Sequence, residues 1–336
     1  MGNIKSLKDI AKELGVAVST VSRAYRGKDG VGESMRKKVL ELAKKYNYVP
    51  NRFAVGLHDN CSMTIGVIIP MIHAYFYTSI IAGIDEAAKE QGFSIVIESS
   101  YESVENEKKC IENMLKLRVD GIIACISQET QTMEHFETLL DNNIPVVFFD
   151  RGNLGTRCSH VVIDNKASAK KAVNHLVERG CQRIALIGAQ KYLQMSSDRR
   201  EGYIEALEEN RLPVRREYII VPEKMTFKSG LSSTRHLLSL PEPPDAIMTM
   251  SDEITFAVLK EVKRHGLKIP KDIKVLGYVD EFHAEIMDPS ITSISHHNYD
   301  MGVICFNLIF KHIQNPKQKA KRVVVPSYLV ARESTK

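Results

Sequence analysis

Residues 5–27, KSLKDIAKELGVAVSTVSRAYRG, constrain the fold of this chain more than any other segment. Two short helical patterns flank a Gly15-Val16 turn. Ile10, Ala11, Leu14, Val21 and Ala24 recur at helical spacing, so each helix can bury one face against the other. Val18, Ser19, Thr20, Ser22 and Arg23 are left around the exposed start and flank of the second helix. Two helices set across a tight glycine-containing turn form a helix-turn-helix, whose second helix lies in the major groove of DNA.

Charge supports that reading. The chain has 336 residues and a formal net charge of +5. Residues 1–60 hold 12 Lys and Arg against 6 Asp and Glu, whereas the remainder holds 34 against 35. The excess positive charge therefore sits with the helix-turn-helix, where a polyanionic partner needs it. A third helix is expected from about Ser34 to Tyr46, with Val39, Leu42 and Ala43 inward and Arg36, Lys37, Lys38, Lys44 and Lys45 outward. Pro50 ends it by disfavouring helix at the preceding residue. Residues 51–60 are too weakly apolar to fold alone and read as a linker, able to form a turn or two of helix from Arg52 to Leu57 when other contacts support it.

From Met63 onward short β-rich runs alternate with amphipathic helical patterns. TIGVIIP, FSIVIES, DGIIACI, IPVVFFD and HVVIDN are followed by RIALIG, YIIVP, DAIMTM and IKVLGYV. Such alternation implies βαβ units and parallel sheets covered by helices on both faces. The pattern runs twice, over about 63–160 and 161–290, and ITSISH and VVVPSYLV look like strands returning to each half. The expected organisation is an all-α head (1–49), a linker (50–60) and an α/β core of two doubly wound lobes (61–336). The first lobe takes about 61–160 and 292–323, the second about 161–291 and 324–336. In such sheets ligands bind at the carboxyl ends of strands.

Six scattered cysteines form no CxxC pair, and no apolar run approaches the length of a membrane span. With a polar N-terminus lacking a signal-peptide pattern, a reduced, cytoplasmic protein is expected.

Read together, these segments resemble the lactose-repressor (LacI/GalR) family of bacterial transcription regulators, over essentially the whole chain. The resemblance rests on LKDIAKELGV, STVSR, the YVPN step, Ala54 and Leu57, TIGVIIP, GIDEAAKEQG, VDGII, IPVVFFDR, RIALIG, the Arg199-to-Gly202 spacing, SDE, GLKIPKDIKVLGY, DPSITSI and LVARES. It implies a periplasmic-binding-protein-like effector core and a homodimer that reads a near-palindromic operator in double-stranded DNA. It places Val18, Ser19 and Arg23 at base-reading positions, with Thr20 near phosphate. Arg23 can grip a guanine edge through two hydrogen bonds. Asn51, Ala54 and Leu57 fall in a hinge helix that forms on the operator, with Leu57 wedged into the minor groove. Ala17, Gly32 and Val55 depart from the usual Ser, Ser and Arg, and Arg26 adds a charge where Asn is common.

The resemblance also implies a small effector, commonly a sugar, between the lobes. The matching positions are His73, Phe76, Asp150, Arg199, Met225, Ser251 and the end of VLGYV, where Asp280 stands one place beyond the usual carboxylate. Asp150 and Arg199 can hold hydroxyls or an anionic group by charge-assisted hydrogen bonds. Arg151 is expected to be structural. Met225 replaces a common aromatic ring, so an unmodified hexose fits the pattern less well. No cofactor or metal is expected, because His296 and His297 are adjacent on a strand and face opposite ways.

Two other classes compete. An α/β enzyme would carry a phosphate loop, nucleophile elbow or metal motif, and GxGxxG, GxxxxGK[ST], GxSxG and HExxH are all missing. An extracytoplasmic two-lobed binding protein would not need a basic head. Within the regulator class, a partner protein could replace the small molecule as the switch. No heptad pattern follows Val330, so a dimer rather than a tetramer is expected.

Overall fold

Ser6 starts helix α1 (Leu7–Leu14), its backbone N–H and hydroxyl reaching Asp9 Oδ2 at 2.7 and 2.8 Å. A carboxylate in the first turn also complements the helix dipole. Gly15 ends α1 with φ +63°, a left-handed conformation that glycine adopts without a Cβ clash. Helices α2 (Val18–Tyr25) and α3 (Glu33–Lys45) complete the head. Ile10, Val21 and Val39, one from each helix, are wholly buried together with Ala11, Ala24 and Ala43. Tyr25 and Tyr48 close the cluster edge to face, with ring centres 5.5 Å apart.

The computed structural model describes residues 6–25, 27, 29–46, 48, 61–152, 157–190, 192–280 and 282–336. The chain divides into two units, Met1–Ser62 and Met63–Lys336. Arg26 and the expected hinge, with Asn51, Ala54 and Leu57, lie outside the described residues.

The second unit begins with β1 (Thr64–Ile69), α4 (Tyr75–Glu90), β2 (Ser94–Ser99), α5 (Val104–Leu117), β3 (Gly121–Ala124), α6 (Glu134–Asp141), β4 (Val146–Phe149) and β5 (Ser159–Ile163). It continues through α7 (Asn165–Glu178), β6 (Ile184–Ile187), α8 (Gln194–Glu209), β7 (Ile219–Ile220), α9 (Phe227–Leu238), β8 (Ala246–Thr249), α10 (Asp252–Arg264) and β9 (Lys274–Val279). The short α11 (Phe282–Ile286), β10 (Thr292–His296), α12 (Asn298–Gln314), β11 (Arg322–Val325) and β12 (Ser327–Val330) follow.

Two six-stranded sheets result, ordered β11-β5-β4-β3-β1-β2 and β12-β10-β9-β8-β6-β7. Among the described residues all pairings are parallel except β10 with β12. Parallel strands covered on both faces must be apolar throughout, and β3, β4, β6 and β8 are buried at every position. In each sheet the strand order reverses beside the first strand, β1 or β6, which creates a crevice at the carboxyl ends.

The chain passes between the sheets after β5, after β10 and after β11. Three boundaries therefore differ from the expected ones. β5 stays in the first sheet to Ile163, and β11 does so to Val325. β10, expected in the first lobe, pairs with β9 and β12 of the second. Two helices carry weak signals in the sequence. α8 starts at Gln194 without a side-chain cap to mark it. α12 contains the run Val303-Ile304-Cys305-Phe306, whose unbroken apolarity suits a buried strand as well as a helix.

Helices α4 and α12 cross closely enough that their backbones touch. A Cβ at Gly83 would stand 2.1 Å from the Tyr299 carbonyl oxygen, and one at Gly302 2.0 Å from that of Ile80. The second lobe repeats the device, a Cβ at Gly202 of α8 falling 2.2 Å from Lys166 O on α7.

Candidate functional site

In the head, the exposed side of α2 carries Val18, Ser19 and Arg23, opposite the buried Val21 and Ala24. Thr20 is half-buried, and its backbone N–H donates to Ala17 O at 3.0 Å in the first turn. Val18 is 41% exposed, an apolar side chain presented to solvent at the start of a short helix. A surface with one methyl-rich side chain, a hydroxyl and a guanidinium matches the donors and apolar contacts that base edges offer in a major groove.

In the core, a cavity of about 320 Å³ lies between the carboxyl ends of the two sheets. Six of the seven expected effector residues line it: His73, Phe76, Asp150, Arg199, Met225 and Ser251. His73 follows β1 and is exposed, while Phe76 is buried on α4. Asp150 directly follows β4 and has φ +54°, a left-handed backbone that aspartate tolerates better than bulky residues. Ser251 caps α10, accepting the Ile254 N–H at 3.4 Å.

Arg199 is 1% exposed and gripped from three sides. Its Nε donates to Asn165 Oδ1 at 2.8 Å and its Nη1 to Met250 O at 3.2 Å, while its Cζ lies 3.9 Å from the centre of the Tyr278 ring. Burial lowers its pKa, opposed by the neighbouring Tyr278 and Asp150. The Tyr278 hydroxyl meets Ser168 Oγ, which fixes the ring under the guanidinium.

Asp280 is the exception. It ends β9 in a left-handed conformation, φ +61°, but its carboxylate pairs with Arg332 Nη1 at 2.5 Å and does not line the cavity. The partner is remote in sequence, and a half-buried ion pair holds the carboxylate away from any ligand.

Residues outside the expected effector set complete the wall. Arg151, expected to be structural, is both structural and part of the lining: Nη1 bonds Glu102 Oε1 and Oε2 at 3.0 and 2.9 Å, and Nε lies 3.8 Å from Asp150. Burial works to lower its pKa, but Tyr77, Glu102 and Asp150 together hold it well above the usual value. Gln128, after β3, gives its backbone N–H to Glu102 Oε2 at 2.6 Å. Met71, Met195 and Met250 join Met225 on the wall. Met71 and Met250 sit just past β1 and β8, so the rule that ligands meet strand ends would have found them. The lobes also touch across the opening, where the Tyr192 hydroxyl donates to Gln128 O and Lys224 Nζ lies 4.0 Å from Glu129.

His296 and His297 occupy opposite environments, as adjacent strand-end residues should. His296 is buried beside Phe76 and Tyr278, and burial followed by Arg199 pushes its pKa well down. His297 is half-exposed, with Nδ1 3.3 Å from Asp300.

Comparison with known proteins assigns the two units separately. A profile described as "Bacterial regulatory proteins, lacI family" matches residues 6–51, and one for a periplasmic binding protein-like domain matches residues 173–335. Catabolite control protein A of Priestia megaterium is 32% identical over 332 residues, covering 98% of this chain and 99% of the relative. Among solved structures, the Lac repressor dimer bound to operator and the anti-inducer ONPF superposes with a TM-score of 0.87 at 25% identity, covering 99% of both chains. A complex of the transcriptional regulator CelR with cellobiose gives a TM-score of 0.75 at 27% identity, covering 98% of this chain and 99% of that one.

Proposed function

The chain belongs to the lacI family of bacterial regulatory proteins, and from that premise we propose that it binds a near-palindromic DNA site as a homodimer and is switched by a small metabolite. The head is the reading element. Val18, Ser19 and Arg23 contact base edges, and Thr20 sits near phosphate. One head covers one half-site, so two copies are needed for a symmetric site. Arg26, Asn51, Ala54 and Leu57 supply further contacts on the same reading, Leu57 as a minor-groove wedge.

The observation that carries the proposal is the cavity at the strand ends. His73, Phe76, Asp150, Arg199, Met225 and Ser251, distant in sequence, line one space of about 320 Å³. That space favours a small molecule over a protein partner as the switch, because its polar groups converge inward. A ligand that touches both lobes acts on DNA binding only through its differential affinity for two lobe arrangements.

Selection of genomic fragments on the purified full-length protein tests this. The expected result is enrichment of one near-palindromic sequence, at a level that a cell extract of small molecules changes. Enrichment without any shared sequence would overturn it.

A further inference from the structure

The cavity has two chemically unequal walls, and the difference bears on its ligand. Polar groups line both walls, His73, Gln128 and Asp150 on the first lobe and Arg199, Ser251, Asp252 and Glu253 on the second. Among the described residues, no hydrogen bond engages the Gln128 side-chain amide or the His73 ring, and the nearest cation to the Asp150 carboxylate is Arg151 Nε at 3.8 Å. On the second lobe several polar groups are tied to internal partners. Glu253 Oε1 accepts the Phe227 N–H at 2.7 Å, Ser251 caps its helix, and Asp280 is held by Arg332. Arg199 keeps only the donors left over from Asn165 and Met250.

What the second lobe adds is a concentration of sulfur beside one ring. Met195 on α8, Met225 before α9, Met250 after β8 and Phe256 on α10 reach the cavity from four separate segments. Thioethers are polarisable, adapt their shape and accept hydrogen bonds only weakly. Hydroxyls placed against them would lose water without gaining partners. An aromatic ring gains both apolar burial and favourable sulfur contacts there.

We propose that the ligand is amphipathic: a hydroxyl-bearing head held by Asp150, Gln128 and Arg199, and an aromatic substituent seated among Met195, Met225, Met250 and Phe256. The ligand class is thus an aryl glycoside or a similar ring-bearing polyol, not a free hexose. This rests on the cavity being the effector site.

The test uses the full chain labelled at the methionine ε-methyls, titrated with phenyl and methyl β-D-glucopyranoside by NMR and calorimetry. The same pair is run for galactose and ribose, so that a mismatched head does not decide the outcome. For at least one head the phenyl compound should bind about 30-fold tighter than the methyl one, and the Met195, Met225 and Met250 methyls should shift. Met195→Gln and Met225→Gln, each at a half-buried position, should shrink that ratio to about 3-fold. Equal affinity for both members of each pair, or shifts at Met71 alone, would overturn the proposal and leave the effector cavity standing. Silence of every cavity methyl toward all six compounds would overturn both.

Discussion

Arg199 and Tyr278 stack, the guanidinium carbon 3.9 Å from the centre of the ring, at the point where α8 meets the end of β9. The contact joins three segments, since Asn165 at the start of α7 and Met250 past β8 accept from the same guanidinium. A buried cation with neutral acceptors and a ring face is costly to desolvate, and its delocalised charge makes the arrangement tolerable. Arg199 thus builds the second lobe's strand ends and also faces the cavity.

Arg199→Ala should therefore lose ligand binding and stability together. Two buried acceptors lose their donor, which costs about 2 kcal/mol or more. Arg199→Lys should rescue little, because an ammonium cannot bond both acceptors and lie flat on Tyr278. Calorimetric titration and thermal unfolding of both variants check this; a lysine variant with the original melting temperature would contradict it.

Asp150→Asn separates the cavity from the head. Among the described residues the carboxylate makes no hydrogen bond and its one ion-pair contact is Arg151 Nε at 3.8 Å, so its removal should spare the fold. The expected result is a response to ligand weakened by about 1–3 kcal/mol, with affinity for the DNA site unchanged. Anisotropy titrations with and without ligand measure both, and weakened DNA binding would refute the assignment.

Arg23→Ala addresses base reading. Loss of a bidentate guanine contact should remove about 1–3 kcal/mol of discrimination. The salt-sensitive, sequence-independent component should persist, because it depends on phosphate neutralisation by the other basic residues. Competition binding at two salt concentrations resolves the two components, and an equal loss of both would assign Arg23 to phosphate.

Much of this is legible in the sequence, for local reasons. The head's core of Ile10, Val21 and Ala24 follows from helical spacing, and the strand cores follow from continuous apolar runs. Asp150 and Met225 follow from the resemblance, and strand-end geometry explains why Asp150 faces the cavity. Asp280 was not legible, because what holds it is Arg332, brought in by the pairing of β10 with β12. The same antiparallel pairing moved β10 into the second lobe, and no local pattern distinguishes which sheet a short β-rich run joins. Met195 shows the same limit, since it lies on a helix, away from any strand end, and alone reads as core.

His160 supplies a pH prediction. It is buried with its ring stacked on Phe148, centres 5.4 Å apart, and burial followed by Arg322 pushes its pKa down to about 4. The unfolded chain then binds a proton that the folded chain refuses, so stability falls as pH drops from about 6.5 toward 4. Between pH 7 and 5 this group should cost about 1 kcal/mol, allowing for partial solvent screening. Urea unfolding at the two pH values should show it, and His160→Gln should flatten the difference. A variant as pH-sensitive as the parent would place the effect elsewhere, at buried His296 first.

The α4–α12 crossing gives the sharpest stability test. At Gly83 an added methyl would stand 2.1 Å from a backbone carbonyl, and at Gly302 2.0 Å, so neither neighbour can yield by rotating a side chain. The helices must separate, which disturbs the face that covers β3 and β4 and costs at least about 2 kcal/mol. Gly180, where a Cβ would meet nothing within 4 Å but φ is +83°, serves as the control. Its alanine variant carries only backbone strain, about 1 kcal/mol. Thermal unfolding should therefore rank Gly83→Ala and Gly302→Ala well below Gly180→Ala. The double variant should cost less than the sum of the two, because one displacement of the helices relieves both clashes. Additive losses would mean that the two glycines occupy independent contacts.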